Sequence, residues 1–102
     1  MYKTVTVAGG DYSTNVSSGS KTIDAAKTIV LTAGDAIVLT VGASTLVMKK
    51  DGTITLNGKD MAFTASDDFS VKAQDISQSA GKDVSVKASG DVNITGSNIH
   101  EN

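Results

Sequence analysis

From Asp60 to Asn98 the chain repeats one short phrase: an acidic residue or Asn, an apolar residue, a small polar one, a second apolar one, another polar one, then Ala or Gly. Copies begin at Asp60, Asp68, Asp75, Asp83, Asp91 and Asn98, so the starts lie 8, 7, 8, 8 and 7 residues apart. Apolar residues two apart within a step of about eight predict short strands joined by tight turns. The phrase extends backward through Thr53-Ile54-Thr55-Leu56-Asn57-Gly58 and Thr45-Leu46-Val47-Met48 to Thr28-Ile29-Val30-Leu31-Thr32-Ala33 and Thr22-Ile23-Asp24-Ala25.

Residues two apart share one face of a strand, so each unit turns its second and fourth positions the same way. The second positions run Ile29, Ile37, Leu46, Ile54, Met61, Phe69, Ile76, Val84 and Val92, with Ile23 before them and Ile99 after. The fourth run Leu31, Leu39, Met48, Leu56, Phe63, Val71, Gln78, Val86 and Ile94, Gln78 being the polar exception. The third position is mostly Ser, Thr or Asn, and Val30, Val38, Val47 and Ala62 depart from that rule.

Proline is absent, as suits a continuous ladder that needs every backbone N–H. No helical face is evident, and the common residues are those of strands and turns. A β-sandwich needs longer strands and less regular spacing. Coiling the chain so that successive strands form the sides of a prism instead buries all second and fourth positions on one axis. The small sixth position is then expected at the corner, where glycine permits unusual φ, and the Asp ladder caps the turns. Periodicity alone allows one coiling chain or three chains wound together. A threefold axis is the more economical choice for so narrow a core, and gives a rod about 55–60 Å long from a dozen stacked strands per face.

At 102 residues and 39% apolar content, one narrow core is the most this chain can build. A net charge of −2 with no arginine argues against a nucleic-acid partner. The chain has no cysteine, which rules out disulfides and thiolate metal sites. It shows no apolar run long enough to span a membrane and no signal-peptide pattern, so any export follows another route.

The run Lys27–Asp35, then Met48-Lys49-Lys50-Asp51-Gly52-Thr53-Ile54, then the octads to Asn98, resembles the carboxy-terminal needle of valine–glycine repeat (VgrG) spike proteins of type VI secretion systems. That family is similar to the central spike of contractile-tailed phages. Val7-Ala8-Gly9 and Val41-Gly42 stand near its Val-x-Gly signature, while the later units carry Ala. The resemblance implies an all-β fold, an intertwined homotrimeric triangular β-helix or β-prism, lacking the family's oligosaccharide/oligonucleotide-binding-fold base. Met1 then reads as a start placed inside a longer protein. The chain divides into 1–21, an amino-terminal strand region of uncertain register; 22–97, the regular repeats; and 98–102, the tip.

The function implied is a structural, non-enzymatic needle that punctures a membrane and presents its blunt tip to a PAAR-repeat cap and its effectors. Its other partners are the parent protein's base domain, the tail tube and, transiently, the target-cell membrane. The needle is assembled in the bacterial cytoplasm and then translocated. Tip binding is expected at Asn98, Ile99, His100, Glu101 and Asn102. No cofactor or metal site is expected. His100 is the single candidate for an axial metal ligand, although the His-x-His pair used by some phage spikes is absent and the third position points outward. Gln78 is expected to meet its symmetry mates, a water or an ion. Lys50-Asp51-Gly52 is read as a wide corner in preference to a hairpin turn. The alternative function is a β-solenoid tail spike, fibre or adhesin module that binds cell-surface glycans through its Ser/Thr faces.

Overall fold

A computed structural model describes residues 2–101. The described chain is all-β, with no helix. Its strands are β1 (Ala36–Val41), β2 (Ser44–Lys49) and β3 (Ile54–Asn57), joined as an antiparallel sheet in the order β1-β2-β3. The chain falls into two units, Met1–Met61 and Ala62–Asn102.

In the first unit the sheet forms a meander whose register follows the alternation in the sequence. Ile37 lies opposite Met48, which lies opposite Ile54, and Leu39 opposite Leu46, which lies opposite Leu56. These two rows give one face six aliphatic side chains. The other face carries Val38, Val47 and Thr55 in one row and Thr40, Thr45 and Asn57 in the next. There the Asn57 amide Nδ2 donates to Thr45 Oγ1 at 3.5 Å.

Two different turns close the meander. Val41 pairs with Ser44 across Gly42-Ala43, and Gly42 alone has a positive φ, 54°. A two-residue loop with only its first residue left-handed is a type II′ turn, whose twist suits a hairpin. The second turn corrects the expected corner at Lys50-Asp51-Gly52. Lys49 N donates to Thr53 O at 3.0 Å and Gly52 N to Lys49 O at 3.0 Å, so these residues form a three-residue hairpin loop. Gly52 sits at φ 93° and Asp51 at a negative φ. That combination matches a type I turn followed by a glycine bulge rather than type I′, which needs both central residues left-handed. The Asp51 carboxylate accepts from Thr53 N at 3.0 Å and thereby fixes the turn.

Outside the sheet the chain bends at regular intervals. In the first unit bends fall at 9–10, 17–19, 26–27, 34–35 and 59–60; in the second they fall at 66–67, 74, 81–82, 89–90 and 97. Each bend from 34–35 onward starts just beyond the small sixth position, whereas that at 26–27 falls on the fifth and sixth residues of its unit. This moves the corner one step from where it is expected. Neither Gly58 nor Gly96, the two sixth-position glycines, has a positive φ, so the corner does not demand a left-handed residue there. The Asp ladder is corrected as well: among the described residues the side-chain turn cap is made by Asp51, not by Asp60, Asp68, Asp75, Asp83 or Asp91. In most of these units the bend precedes the aspartate, leaving no turn amide two residues ahead for its carboxylate to accept from.

No described residue is buried. The half-buried residues are Ile37, Thr45, Leu46, Val47 and Met48, all in β1 or β2.

The turns can be tested by substitution. Gly52→Ala should lower stability by about 1 kcal/mol or more, because the left-handed region is strained for alanine. Gly90→Ala, at an ordinary φ with open space around its Cβ site, should be neutral or slightly stabilising; paired thermal melts compare them. The hydrogen bond donated by the Thr53 backbone N–H holds the Asp51 carboxyl below its ordinary value. A folded-state value below the unfolded one means that the turn's stabilisation is complete above the unfolded value, about pH 3.9, and is lost as pH falls through the folded value. A carbon-detected NMR titration should therefore find Asp51 titrating below its value in the unfolded chain, and Thr53→Pro, which removes the donor, should raise it toward that value.

Candidate functional site: an exposed apolar stripe

Two apolar side chains per repeat, both accessible, are the feature on which any function must draw. In the sheet, β2 lies between β1 and β3, so its Leu46 and Met48 are flanked on both sides and half-buried, as is Ile37. Leu39, Ile54 and Leu56 remain exposed. The structure thus brings together six of the residues assigned to the core: Ile37, Leu39, Leu46, Met48, Ile54 and Leu56. Leu31 and Ala33 reach the end of this sheet and, with Ala36, Ile37 and Met48, line a cleft of about 270 Å³. The salt bridge of Lys50 Nζ to Asp35 Oδ1, 3.3 Å, stands at its rim between two well-exposed side chains. A pair so accessible to water contributes little, about 0–1 kcal/mol. Beside it, Lys50 N donates to Asp35 O at 3.0 Å and continues the β1–β2 ladder by one step.

In the second unit Phe63 and Phe69 meet across the bend at 66–67, with ring centroids 6.2 Å apart and planes tilted by 49°. This geometry suits an aromatic pair, yet both rings remain 65% exposed. The other assigned core residues there, Val71, Ile76, Gln78, Val84, Val86, Val92 and Ile94, are all exposed. So are Ile29 and Leu31 in the first unit, and Met61 at its end. Within the chain these residues find no common core.

At the proposed tip Asn98, Ile99, His100 and Glu101 are exposed, and Asn102 lies outside the described residues. Ile99 presents an apolar side chain that is 62% accessible, following the bend at Ser97. Among the described residues no three potential metal-ligating side chains come together, at His100 or elsewhere. No helix of the described residues is long and apolar enough to cross a membrane.

Sequence reasoning missed the turn at Gly42-Ala43. The signal was present: a glycine first in a two-residue gap between alternating segments marks a type II′ hairpin. The Asp35–Lys50 and Thr45–Asn57 contacts follow from that hairpin and from its neighbour, and neither is visible without the register. No protein-family model, curated protein or solved structure matches the chain.

If the stripe is the working surface, Phe63→Asp should impair self-association at micromolar chain concentration. Asn93→Asp, at an outward third position, should leave it unchanged; size-exclusion chromatography of the two variants compares them.

Proposed function

We propose that this chain is a structural, non-enzymatic needle segment of a contractile injection machine, in which three copies wind into a triangular β-prism. One observation carries the reading. Residues 62–101 bend every seven or eight residues while the second and fourth positions of each unit, apolar but for Gln78, stay exposed and no strand pairs within the segment. Such a segment leaves unmet both its hydrophobic side chains and its backbone N–H and C=O groups, which fold stably only when paired. Two further copies with the same period meet both needs at once, placing the stripe on a common axis and the ladder between chains. Each aliphatic residue so covered contributes about 1.5–3 kcal/mol, spread evenly along the rod.

The remaining role rests on the resemblance to valine–glycine repeat spikes. A rod of continuous strands with no proline hinge transmits axial force. Residues 98–102 offer the PAAR-repeat cap an apolar contact at Ile99 bordered by polar groups. In this reading the needle assembles in the bacterial cytoplasm on its parent's base domain and tail tube, and leaves with the tube through the target-cell membrane.

Sedimentation equilibrium at micromolar concentration should return about three times the chain mass of 10.4 kDa; a monomer mass overturns the reading. Ile99→Asp should abolish binding of a PAAR-repeat protein without changing that mass. Glycan-array binding by a chain with no affinity for any PAAR-repeat protein would instead favour a fibre that recognises cell surfaces.

A further inference from the structure

Two dipeptides of the meander share one chemical liability. Where Asn or Asp precedes glycine, the glycine amide nitrogen can attack the side-chain carbonyl carbon and close a five-membered succinimide, because glycine has no side chain to obstruct the approach. Asn57-Gly58 is the single Asn-Gly pair in the chain and Asp51-Gly52 the single Asp-Gly pair. Asn15, Asn93 and Asn98 are followed by Val16, Ile94 and Ile99, β-branched residues whose bulk and stiffness hinder the same attack.

The fold treats the two pairs oppositely. At Asp51-Gly52 both reacting groups are engaged: Gly52 N donates to Lys49 O at 3.0 Å, and the Asp51 carboxylate accepts from Thr53 N at 3.0 Å. Both bonds must break before nitrogen and carbon can meet. At Asn57-Gly58 the reacting groups are free. The bond from Lys49 N to Thr53 O sets the alternation of the β2–β3 ladder, whose hydrogen-bonded pairs are then Val47–Thr55 and Thr45–Asn57. The next N–H, that of Gly58, is directed away from β2 and among the described residues donates to no acceptor. The Asn57 side chain is exposed, and its contact to Thr45 Oγ1, at 3.5 Å, is too long to restrain the carboxamide. Asn57 is also the last residue of a four-residue strand at the sheet edge, where local opening is easiest.

We propose that Asn57 is a self-modification site, at which the chain deamidates without an enzyme. The Gly58 nitrogen gives up its proton and bonds to Asn57 Cγ; the Cγ–Nδ2 bond breaks, and the amide nitrogen takes up a proton and leaves as ammonia. One water then opens the ring. Breaking the new Cγ–N bond leaves aspartate, and breaking the bond from the Asn57 main-chain carbonyl carbon to nitrogen leaves isoaspartate. Either product adds one negative charge to a chain of formal net charge −2. Aspartate preserves the ladder and can accept from the Thr45 hydroxyl. Isoaspartate inserts a methylene into the main chain and takes the Thr45–Asn57 pair out of register. The open end of β3 thus loosens as the protein ages. The inference goes beyond the needle reading and needs only the single chain.

The test is peptide mapping by mass spectrometry of the full chain after incubation in buffer and in denaturant, from neutral to mildly alkaline pH. In buffer Asn57 should convert at least about tenfold faster than Asn93 or Asn98, and at a rate proportional to hydroxide concentration. Folding should slow Asn57 by less than about tenfold, because a strand end opens readily. It should slow isomerisation of Asp51 by more than about tenfold, because two hydrogen bonds must be lost. Gly58→Ala should slow conversion of Asn57 by about tenfold. The φ of Gly58 is ordinary, and the closest atom to the added Cβ is Met61 Cγ at 3.3 Å, on a flexible side chain, so the meander accommodates the change. The denaturant arm reads the same chemistry if that variant does not fold. Asn57 that stays an amide while Asn93 or Asn98 converts overturns the proposal. So does conversion that Gly58→Ala leaves unchanged in denaturant, or folding that protects Asn57 as strongly as Asp51.

Discussion

The whole structure depends on where a strand with one apolar face can hide it. A helix or a second sheet would normally supply the cover, and the described residues contain no helix and a single small sheet. The consequence is visible side chain by side chain: Val86 is 72% exposed and Ile94 71%, so neither belongs to a core formed by the described residues. The backbone stands in the same position. Among the described residues away from 35–57, amides and carbonyls have no ladder within the chain, and unpaired backbone groups cannot be buried cheaply. Covering the side chains and pairing the backbone are therefore one problem, and in the proposed needle a neighbour of matching period answers both.

Order within the chain is distributed accordingly. Residues 36–57 meet the minimum for a self-supporting sheet, three strands with an apolar face, and two glycine-bearing turns hold them. Direct electrostatics add little: the exposed Asp35–Lys50 pair is screened by water, and the Asp51 carboxylate acts through one local hydrogen bond. Hydrogen bonds and side-chain contacts of the meander are thus available to each chain alone, whereas those of the repeats would come from the copies of the proposed needle.

The period is legible in the sequence because it is written in side chains: Met61, Phe69, Ile76, Val84 and Val92 recur as the chain returns to the same face. The bends recur with it. Their placement differs by one step, at Ser66-Asp67 or Gln74 rather than at Ala65 or Ala73, because the small residue borders the corner without making it. The meander is hidden for a physical reason. Alternation with period two looks the same in a prism side and in a hairpin strand, so Ile37, Leu39, Leu46 and Met48 fit either. Only the turns decide, and they decide through dihedral angles: positive φ at Gly42 and Gly52 with ordinary φ at Ala43 and Asp51. Six of the assigned core residues do share one face, as their spacing implies. The others do not share that face among the described residues, and in the proposed needle their clustering falls to neighbouring copies.

The most direct measurement is hydrogen exchange of the backbone amides, followed across chain concentration. Amides of the β1–β2 and β2–β3 ladders should be protected at every concentration. Amides of 62–101 should gain protection of at least about a hundredfold only where copies associate, since their partners lie in other chains. Protection of 62–101 that is independent of concentration, or its absence at concentrations where the chain is trimeric by mass, would contradict a ladder built between chains.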